Sequence, residues 1–298
     1  MGKDNVLQRL TALRQYQGDG RRAPHKPLLV LLALGQLSTV GSSLMSWSVV
    51  EDRLGALLAE FGTSSTSGAS SAAYPFTRLR SDGVWQLTRD VPNDSVGSLK
   101  SELIEGRFPP DIETELLHSP ETVNAVARAL VESQFPLTIA SDVLIAVGLE
   151  PDAVFASPAA TSESIARRKR DANWRRAIVA AWDRSCAFCG YDGALAGAPV
   201  GIEAAHIRWF NFDGPDEIDN GLALCSLHHK LLDRGAIGLR DPGTVVISQA
   251  FSAVGDVGRA VYELHGRELR PRPGTVLPAL DYVIWHRQEV FKGDPLAA

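Results

Sequence analysis

The 298-residue sequence contains no long hydrophobic run. The longest uninterrupted apolar stretch, from Leu28 to Leu34, is far shorter than the ~20 residues that a membrane-spanning helix needs. The first residues also lack the apolar segment of a signal peptide. We therefore expect a cytoplasmic protein that has no membrane partner.

Cysteine is scarce, with three residues in the chain. An odd number of cysteines cannot all pair in disulfides, and a chain of this length does not need disulfides to build its core. The thiols are therefore available to a metal ion. Because 45% of the residues are hydrophobic and 22% are charged, the composition is that of a globular protein, and the length indicates two domains.

Positive charge is not in excess overall, since the net charge is −5. Its distribution is uneven. Residues 1–30 carry six basic and two acidic side chains, and residues 161–190 carry seven basic and three acidic ones. Residues 90–160, in contrast, carry three basic and twelve acidic side chains. This pattern excludes a uniformly cationic coat and favours local contact with a polyanion, although solvated helix faces explain the basic blocks equally well.

Hydrophobic spacing and capping residues predict a mostly helical N-terminal half. The predicted helices span residues 5–16, 27–41, 48–61, 98–105, 110–117 and 120–134, with one more that ends near residue 148. The Ser/Gly/Ala-rich residues 63–73 predict a loop, and residues 74–88, with a turn at 81–83, predict a β-hairpin.

The stretch 149–163 is rich in proline, alanine and serine and has little periodicity, which is typical of a linker. The resulting organisation has a domain at 1–148, the linker, and a second domain at 164–298.

The C-terminal half contains two ligand pairs with the same two-residue spacing. Cys186 and Cys189 form the first pair, and Cys225 and His228 form the second. Three thiolates and one imidazole form a closed tetrahedral set of the kind that holds structural Zn²⁺. The sequence therefore predicts a zinc site.

The residues between and after these pairs resemble the HNH nuclease family, the ββα-metal finger. The resemblance covers about residues 170–245 and rests on Glu203-Ala-Ala-His206-Ile, on Asn220-Gly-Leu-Ala-Leu-Cys225 and on the His228-His229 pair. It implies that His206 is the general base and that Asn220 holds the loop that orients the base. It also implies that His229 ligates a catalytic Mg²⁺ or Mn²⁺ ion, whereas the Cys₃His set holds zinc.

The chemistry of phosphodiester hydrolysis agrees with these roles. It needs a base whose pKa lies near neutrality and a cation beside the charge that develops on phosphorus and on the leaving oxygen. Because adjacent helical residues project about 100° apart, His228 and His229 can serve different metal ions.

One position departs from the family pattern. Many HNH proteins carry a second metal ligand, Asp or His, immediately before the base, and this chain has Ala205 there. In a strand, Glu203 shares a face with Ala205, so Glu203 is a candidate replacement ligand, or alternatively a cap for the neighbouring helix. Asp219 and Asp233 are weaker candidates.

Two further segments flank the finger. The basic helix predicted at residues 165–176 would neutralise DNA phosphates without reading sequence. The helix predicted at 282–291, which carries Trp285-His286-Arg287, is expected to pack against the finger.

The N-terminal half resembles the sulfur-binding domain of restriction endonucleases that attack phosphorothioated DNA. The resemblance covers about residues 1–150 and rests on Arg21-Arg22-Ala-Pro-His25-Lys26-Pro27, on Tyr74-Pro75-Phe76 and on Gly106-Arg107-Phe108. A sulfur-binding domain followed by an HNH domain is similar to the McrA-type, modification-dependent type IV restriction enzymes.

This resemblance implies a pocket that accepts sulfur in place of a phosphate oxygen. Sulfur loses little on desolvation, whereas an oxygen would lose its hydrating water, so apolar groups such as Pro75 and the Tyr74 ring discriminate between them. Cationic groups hold the neighbouring phosphate oxygens. The predicted DNA-binding residues are Arg21, Arg22, His25, Lys26, Tyr74, Pro75, Arg78 and Arg107.

The sequence thus predicts an α+β protein of two domains, a mostly helical one with a small β-hairpin and a ββα-metal HNH finger with flanking helices. The predicted function is a type IV restriction endonuclease that binds phosphorothioated double-stranded DNA and cuts near the modified site. Alternatives are an HNH nuclease directed to methylated cytosine or another modified base, and a zinc-stabilised DNA-binding protein without catalysis. Because one HNH site cuts one strand, a homodimer is possible.

Overall fold

The computed structural model describes residues 3–15, 20–63, 69–156 and 173–297. Contacts divide the chain into two compact units, residues 1–158 and 159–298. Within the described ranges, no helix combines the length and the apolar character that crossing a bilayer would require.

The first unit is built around one helix that is enclosed over most of its length. Its helices are α1 (Lys3–Thr11), α2 (His25–Val40), α3 (Trp47–Phe61), α4 (Ala69–Arg78), α5 (Val96–Ser101), α6 (Pro110–His118), α7 (Pro120–Gln134), α8 (Leu137–Val147) and α9 (Pro151–Phe155). The apolar run Leu28–Leu34 makes α2 hydrophobic on every side, and all seven of its residues are fully buried. Helices α3, α4, α7 and α8 pack around it.

A small antiparallel sheet covers one part of this helical core. Its strands are β1 (Met45–Ser46), β2 (Gln86–Leu87) and β3 (Glu105–Arg107), and β3 is the central strand. The middle of β3 is Gly106, where a Cβ atom would lie 2.6 Å from the indole nitrogen of Trp85. Glycine at this position therefore lets the sheet lie directly against that buried ring.

The hairpin predicted at residues 74–88 is wrong. Residues 69–78 form α4, a 3-10 turn follows at Leu79–Asp82, and β2 pairs with β3 instead of with the preceding residues. The physical reason is the spacing of the apolar side chains: Ala72, Ala73, Phe76 and Leu79 are fully buried, which is a helical period. The Tyr-Pro-Phe sequence has the composition of a strand but lies on a helix.

The other predicted helices of this unit form, with ends that shift by a few residues. The predicted loop at 63–73 ends earlier, because α4 begins at Ala69, and residues 64–68 lie outside the described ranges. The first part of the predicted linker is corrected: α9 forms there and its Val154 is fully buried. Residues 157–172, which include most of the predicted basic helix, are not among the described residues, so the domain boundaries stay predictions.

The second unit contains the ββα arrangement expected of the finger. Its elements are α10 (residues 173–181), β4 (Ala194–Leu195), β5 (Ala198–Pro199), β6 (Ile202–His206), β7 (Gly221–Cys225), α11 (Ser226–Asp233), β8 (Ile237–Leu239), β9 (Val245–Ile247), α12 (Asp256–Arg259) and α13 (Leu280–Glu289). Strands β6 and β7 pair antiparallel, and α11 packs on both. The predicted two-domain α+β fold class is confirmed.

Helix α10 approaches β7 closely because Gly221 has no side chain. A Cβ atom at Gly221 would lie 2.3 Å from Ile178 Cδ1 and 2.8 Å from Trp174 Cζ2. The indole of Trp182 also donates a hydrogen bond to the Gly221 carbonyl at 3.2 Å. These contacts hold Trp174 at the end of β7 that pairs with His206.

We expect Gly35→Ala to destabilise the first unit. A Cβ atom at this position in α2 would lie 1.8 Å from the backbone oxygen of Val147, and backbone cannot give way as a flexible side chain does. Overpacking of this kind costs about 1–3 kcal/mol or more of unfolding free energy. Denaturant unfolding of the chain measures the effect.

Gly55→Ala is the matched control, since Gly55 is also inside a helix but a Cβ atom there would meet nothing within 4 Å. Alanine there should stabilise by about 0.5–1 kcal/mol because it favours the helix. Equal effects of the two substitutions would contradict the close approach of α2 and α8.

Candidate active site and metal centre

The predicted Cys₃His ligands come together in the second unit. The donor atoms of Cys186, Cys189, Cys225 and His228 all lie within 4.8 Å of one another. The Nδ1 atom of His228 is 3.4 Å from Cys186 Sγ and 3.2 Å from Cys225 Sγ. Among the described residues this is the one group of three or more Cys, His, Asp or Glu residues in which one donor atom from each lies that close to all the others.

The cluster favours ionisation of one of its thiols, that of Cys186, whereas burial raises the pKa of Cys189 and proximity to Cys186 raises the pKa of Cys225. Hydrogen bonding from Cys225 lowers the pKa of the Cys186 thiol, and a hydrogen bond from His228 Nδ1 acts in the same direction. Thiolates and an imidazole are the donors that Zn²⁺ prefers. The residues therefore fit a structural zinc ion.

His206 ends β6 and is held on two sides. Its Nε2 donates to Oδ1 of Asp216 at 2.9 Å, and its ring stacks on Trp174 with centroids 3.7 Å apart and planes 14° apart. The side chain is partly exposed. A carboxylate at Nε2 selects the tautomer whose lone pair is on Nδ1, and the stacked indole fixes the plane of the ring.

Asn220 closes the loop that follows His206. It is fully buried, and its Oδ1 accepts from the Arg208 amide at 2.9 Å. Its Nδ2 donates to the carbonyls of Arg208 at 3.1 Å and Pro215 at 3.0 Å. The Asn220 side chain thus connects both ends of the loop that carries Asp216. It therefore helps to position Asp216, the hydrogen-bond partner of His206.

His229 lies in a different cluster from its neighbour His228. Its Nδ1 contacts Glu203 Oε2 at 2.7 Å, and its Nε2 contacts Asp233 Oδ2 at 3.3 Å. Ser226 donates to the other oxygen of Glu203 at 2.7 Å. Burial lowers the pKa of His229, but the charges of Asp233 and Glu203 outweigh burial, and the pKa is raised.

The two carboxylates around His229 differ in exposure. The Asp233 side chain is 2% exposed and also accepts from Trp209 Nε1 at 2.9 Å, whereas the Glu203 side chain is 43% exposed. The hydrogen bond from His229 lowers the pKa of Glu203, so it is ionised at neutral pH. In metal sites, a ligating histidine commonly donates its other ring nitrogen to a buried carboxylate that orients the ring. Asp233 has the position of such an orienting carboxylate, and Glu203 is the accessible carboxylate on the opposite ring nitrogen.

Sequence reasoning missed or undervalued three of these groups. Asp216 lies in a loop and Trp174 on the basic helix, and neither carries a pattern that points to His206. Asp233 was ranked as a weak candidate, although its position four residues after His229 on one helix brings the two side chains together. The other weak candidate, Asp219, contributes its backbone carbonyl to the amide of Ala279 at 2.9 Å.

Two of the predicted DNA-binding cations are used inside the first unit, which corrects the prediction. Arg22 is 6% exposed and donates to the Phe61 carbonyl at 2.7 Å. Lys26 is 5% exposed and pairs with the buried carboxylate of Asp82. Both side chains are engaged within the unit, because a buried cation needs such partners.

Other predicted residues meet at one surface. The Tyr74 ring is partly exposed, with His25 at 5.7 Å between ring centroids and the Arg78 guanidinium carbon 5.2 Å from its centroid. Burial lowers the pKa of His25. Pro75 is buried in the same helix, so it presents little surface to a ligand.

The last two predicted DNA-binding residues are partly accessible. Arg107 is 41% exposed and pairs with the buried carboxylate of Glu113. Arg21 is exposed.

Two families match the chain. Residues 3–152 match the family described as ScoMcrA-like, DNA sulfur-binding domain, and residues 186–240 match HNH endonuclease. The first match covers half of the chain. This chain belongs to the ScoMcrA-like DNA sulfur-binding domain family. Its second unit contains an HNH endonuclease domain, which supports a DNA-cleaving nuclease.

Solved structures with low similarity accompany these matches. The sulfur binding domain of ScoMcrA complexed with phosphorothioated DNA is 22% identical, with a TM-score of 0.42, and the match covers 48% of this chain and 97% of that one. The sulfur binding domain of SprMcrA complexed with phosphorothioated DNA is 20% identical, with a TM-score of 0.42, and the match covers 50% of this chain and 95% of that one. Comparison with curated proteins gives no match.

We expect the adjacent histidines of the HNH domain to differ in their effect on zinc content. His228→Gln removes a donor of the Cys₃His set and should abolish stoichiometric zinc. His229→Gln should keep about one zinc per chain, because His229 lies among carboxylates. Elemental analysis of the purified soluble chains measures this. Zinc retained by the His228→Gln variant, or lost equally from both, would contradict the separation of the two sites.

Proposed function

We propose that this protein binds phosphorothioated DNA through its sulfur-binding unit and hydrolyses DNA strands near the modification with its HNH domain. The observation that carries the proposal is one chain that combines a DNA sulfur-binding family match with an HNH match whose His206 is held by Asp216 and Trp174. A cytoplasmic location, where foreign DNA arrives, is part of the proposal.

His206 is the general base in this proposal. With Nε2 bonded to Asp216, the Nδ1 lone pair takes a proton from water, and the water oxygen attacks phosphorus while the bond to the leaving oxygen breaks. The Asp216 carboxylate then stabilises the imidazolium that forms. Because Asn220 fixes both ends of the intervening loop, Asp216 stays in place during this change of charge.

Glu203 and His229 would hold a divalent cation, Mg²⁺ or Mn²⁺. An imidazole nitrogen and a carboxylate suit such an ion, and Asp233 would orient the ring from the opposite side. The bound cation would supply positive charge beside the phosphate oxygens and the leaving oxygen. In this structure both ring nitrogens of His229 face carboxylates, so the site favours positive charge.

Arg175 is the side chain of α10 best suited to bind the DNA backbone near this site. It is exposed, and its charge acts on both Glu203 and His229. A guanidinium next to the proposed cation site would hold a phosphate oxygen without selecting a sequence. Its neighbour Trp174 meanwhile stacks on the proposed base.

In the first unit, the surface around Tyr74 supports recognition of sulfur. An aromatic face is a favourable neighbour for a large, weakly hydrated atom, and the lowered pKa of His25 makes its ring a neutral hydrogen-bond donor at neutral pH. Arg21 and Arg107 are accessible enough to contact neighbouring phosphates. A homodimer would supply the second HNH site that a double-strand break requires.

The primary test is cleavage of a phosphorothioated duplex against its unmodified twin, with Mn²⁺ or Mg²⁺ added or withheld. We expect cleavage of the modified duplex only, and only with the added cation. Withholding the ion, rather than adding a chelator, leaves structural zinc in place. Equal cleavage of both duplexes would remove the recognition part of the proposal, and a duplex with methylated cytosine tests the other class of modification.

His206→Ala should lower the cleavage rate by about 10²–10⁴-fold, the usual contribution of a general base. Asp216→Asn should cause a smaller loss, because the imidazole remains but its orienting charge is gone. His118→Ala is the control, since His118 is an exposed histidine on α6. Single-turnover rates at saturating DNA measure these effects, and wild-type cleavage by His206→Ala would refute the assignment.

A further inference from the structure

The Arg78 side chain is already bound by a carboxylate at the proposed sulfur-binding surface. Its Nε donates to the two oxygens of Asp94 at 3.1 and 3.0 Å, and its Nη2 donates to Oδ2 at 2.6 Å. The pair lies beside the Tyr74 ring and remains partly open to solvent, with Arg78 44% and Asp94 37% exposed.

Asp94 is held in position by its backbone. Its φ of 61° is in the left-handed region, which aspartate tolerates better than most residues. Its amide donates to the hydroxyl of Thr77 at 3.1 Å, and that buried hydroxyl donates to the Ala73 carbonyl at 2.8 Å. The carboxylate is therefore fixed relative to α4, the helix that carries both Tyr74 and Arg78.

We infer that Asp94 is a specificity-determining residue: it keeps the Arg78 guanidinium beside the Tyr74 ring and neutralises its charge, so that an ordinary phosphate gains little from Arg78. The inference rests on the proposed recognition of phosphorothioate by this unit.

The reason is the different need of oxygen and sulfur for a charged partner. A phosphate oxygen that leaves water requires strong, charge-assisted hydrogen bonds to replace its hydration. At this surface it must compete with a carboxylate that already occupies the guanidinium fork. Sulfur is a weaker hydrogen-bond acceptor and gives up less hydration. Contact with the Tyr74 ring is therefore sufficient to bind sulfur, and Asp94 does not have to be displaced from Arg78. The pair thus penalises oxygen more than sulfur.

The test is Asp94→Asn in the full chain, because asparagine keeps the size of the side chain and its tolerance for a positive φ. Binding to a phosphorothioated duplex and to its unmodified twin is measured over a range of salt concentrations without an added divalent cation. We expect the variant to bind the unmodified duplex about three- to tenfold more tightly. The salt dependence for that duplex should steepen by about 0.9, which corresponds to one additional phosphate contact. Affinity for the modified duplex should change less, so the selectivity ratio falls.

Asp90→Asn is the matched control. It makes the same change in net charge four residues earlier in the same loop, but Asp90 pairs with Arg80, which also donates to Asn93 Oδ1 and to the Val91 carbonyl. The control should leave selectivity within twofold of the wild type. In an Arg78→Ala background, Asp94→Asn should have no further effect on selectivity, because its action passes through Arg78.

The outcomes separate this inference from the proposed function. A selective wild type and an equally selective Asp94→Asn variant overturn the role of Asp94 alone. The same holds if Asp90→Asn reproduces the change, since the effect would then be general electrostatics. A wild type that binds both duplexes equally overturns the proposed recognition, and the inference with it.

Discussion

The antiparallel pairing of β6 with β7, with α11 packed on both strands, positions the polar groups of the HNH domain. The register sets His206 opposite Gly221 and Glu203 opposite Leu224. Since α11 begins immediately after β7, its first turn brings His228 to the cysteines and His229 to Glu203. A slip of one residue in this pairing would turn every side chain of β6 to the other face and separate these groups.

The same pairing explains why a small apolar residue, Ala205, stands immediately before His206. Ala205 is fully buried in the core between the strands and the neighbouring elements, where an ionised carboxylate would be costly. Glu203, two residues earlier, is at the more open part of the strand and meets His229 there. This chain therefore carries its carboxylate at the accessible position 203. Ser226 holds Glu203 by a hydrogen bond, and Asp233 holds His229 from the other side of the ring.

Carboxylates also form ion pairs with several cationic side chains of the first unit. Lys26, Arg78 and Arg107 each pair with an acidic side chain, and the acids range from almost fully buried Asp82 and Glu113 to accessible Asp94. A protein with a net charge of −5 can therefore present selected positive groups to DNA without a general attraction for it. Under the proposed function, this arrangement favours discrimination over overall affinity.

Helical periodicity predicts α3 and α7 of the first unit, because both bury apolar side chains at regular spacing, whereas α2 is apolar on every side over Leu28–Leu34. It failed at residues 74–88, where strands of two or three residues are too short to carry a pattern and Tyr-Pro-Phe resembles a strand. Chain order alone could not show that β2 pairs with β3, since that partner is supplied by a later segment.

The sequence by itself determined the ligand set, because the x₂ spacings of Cys186, Cys189, Cys225 and His228 constrain the backbone locally. Only the tertiary structure decided which side chains act together. Asp216 and Trp174 reach His206 from a loop and a separate helix, and Lys26 meets Asp82 across 56 positions of the chain. Such pairs depend on packing between distant segments, and neither spacing nor composition records that packing.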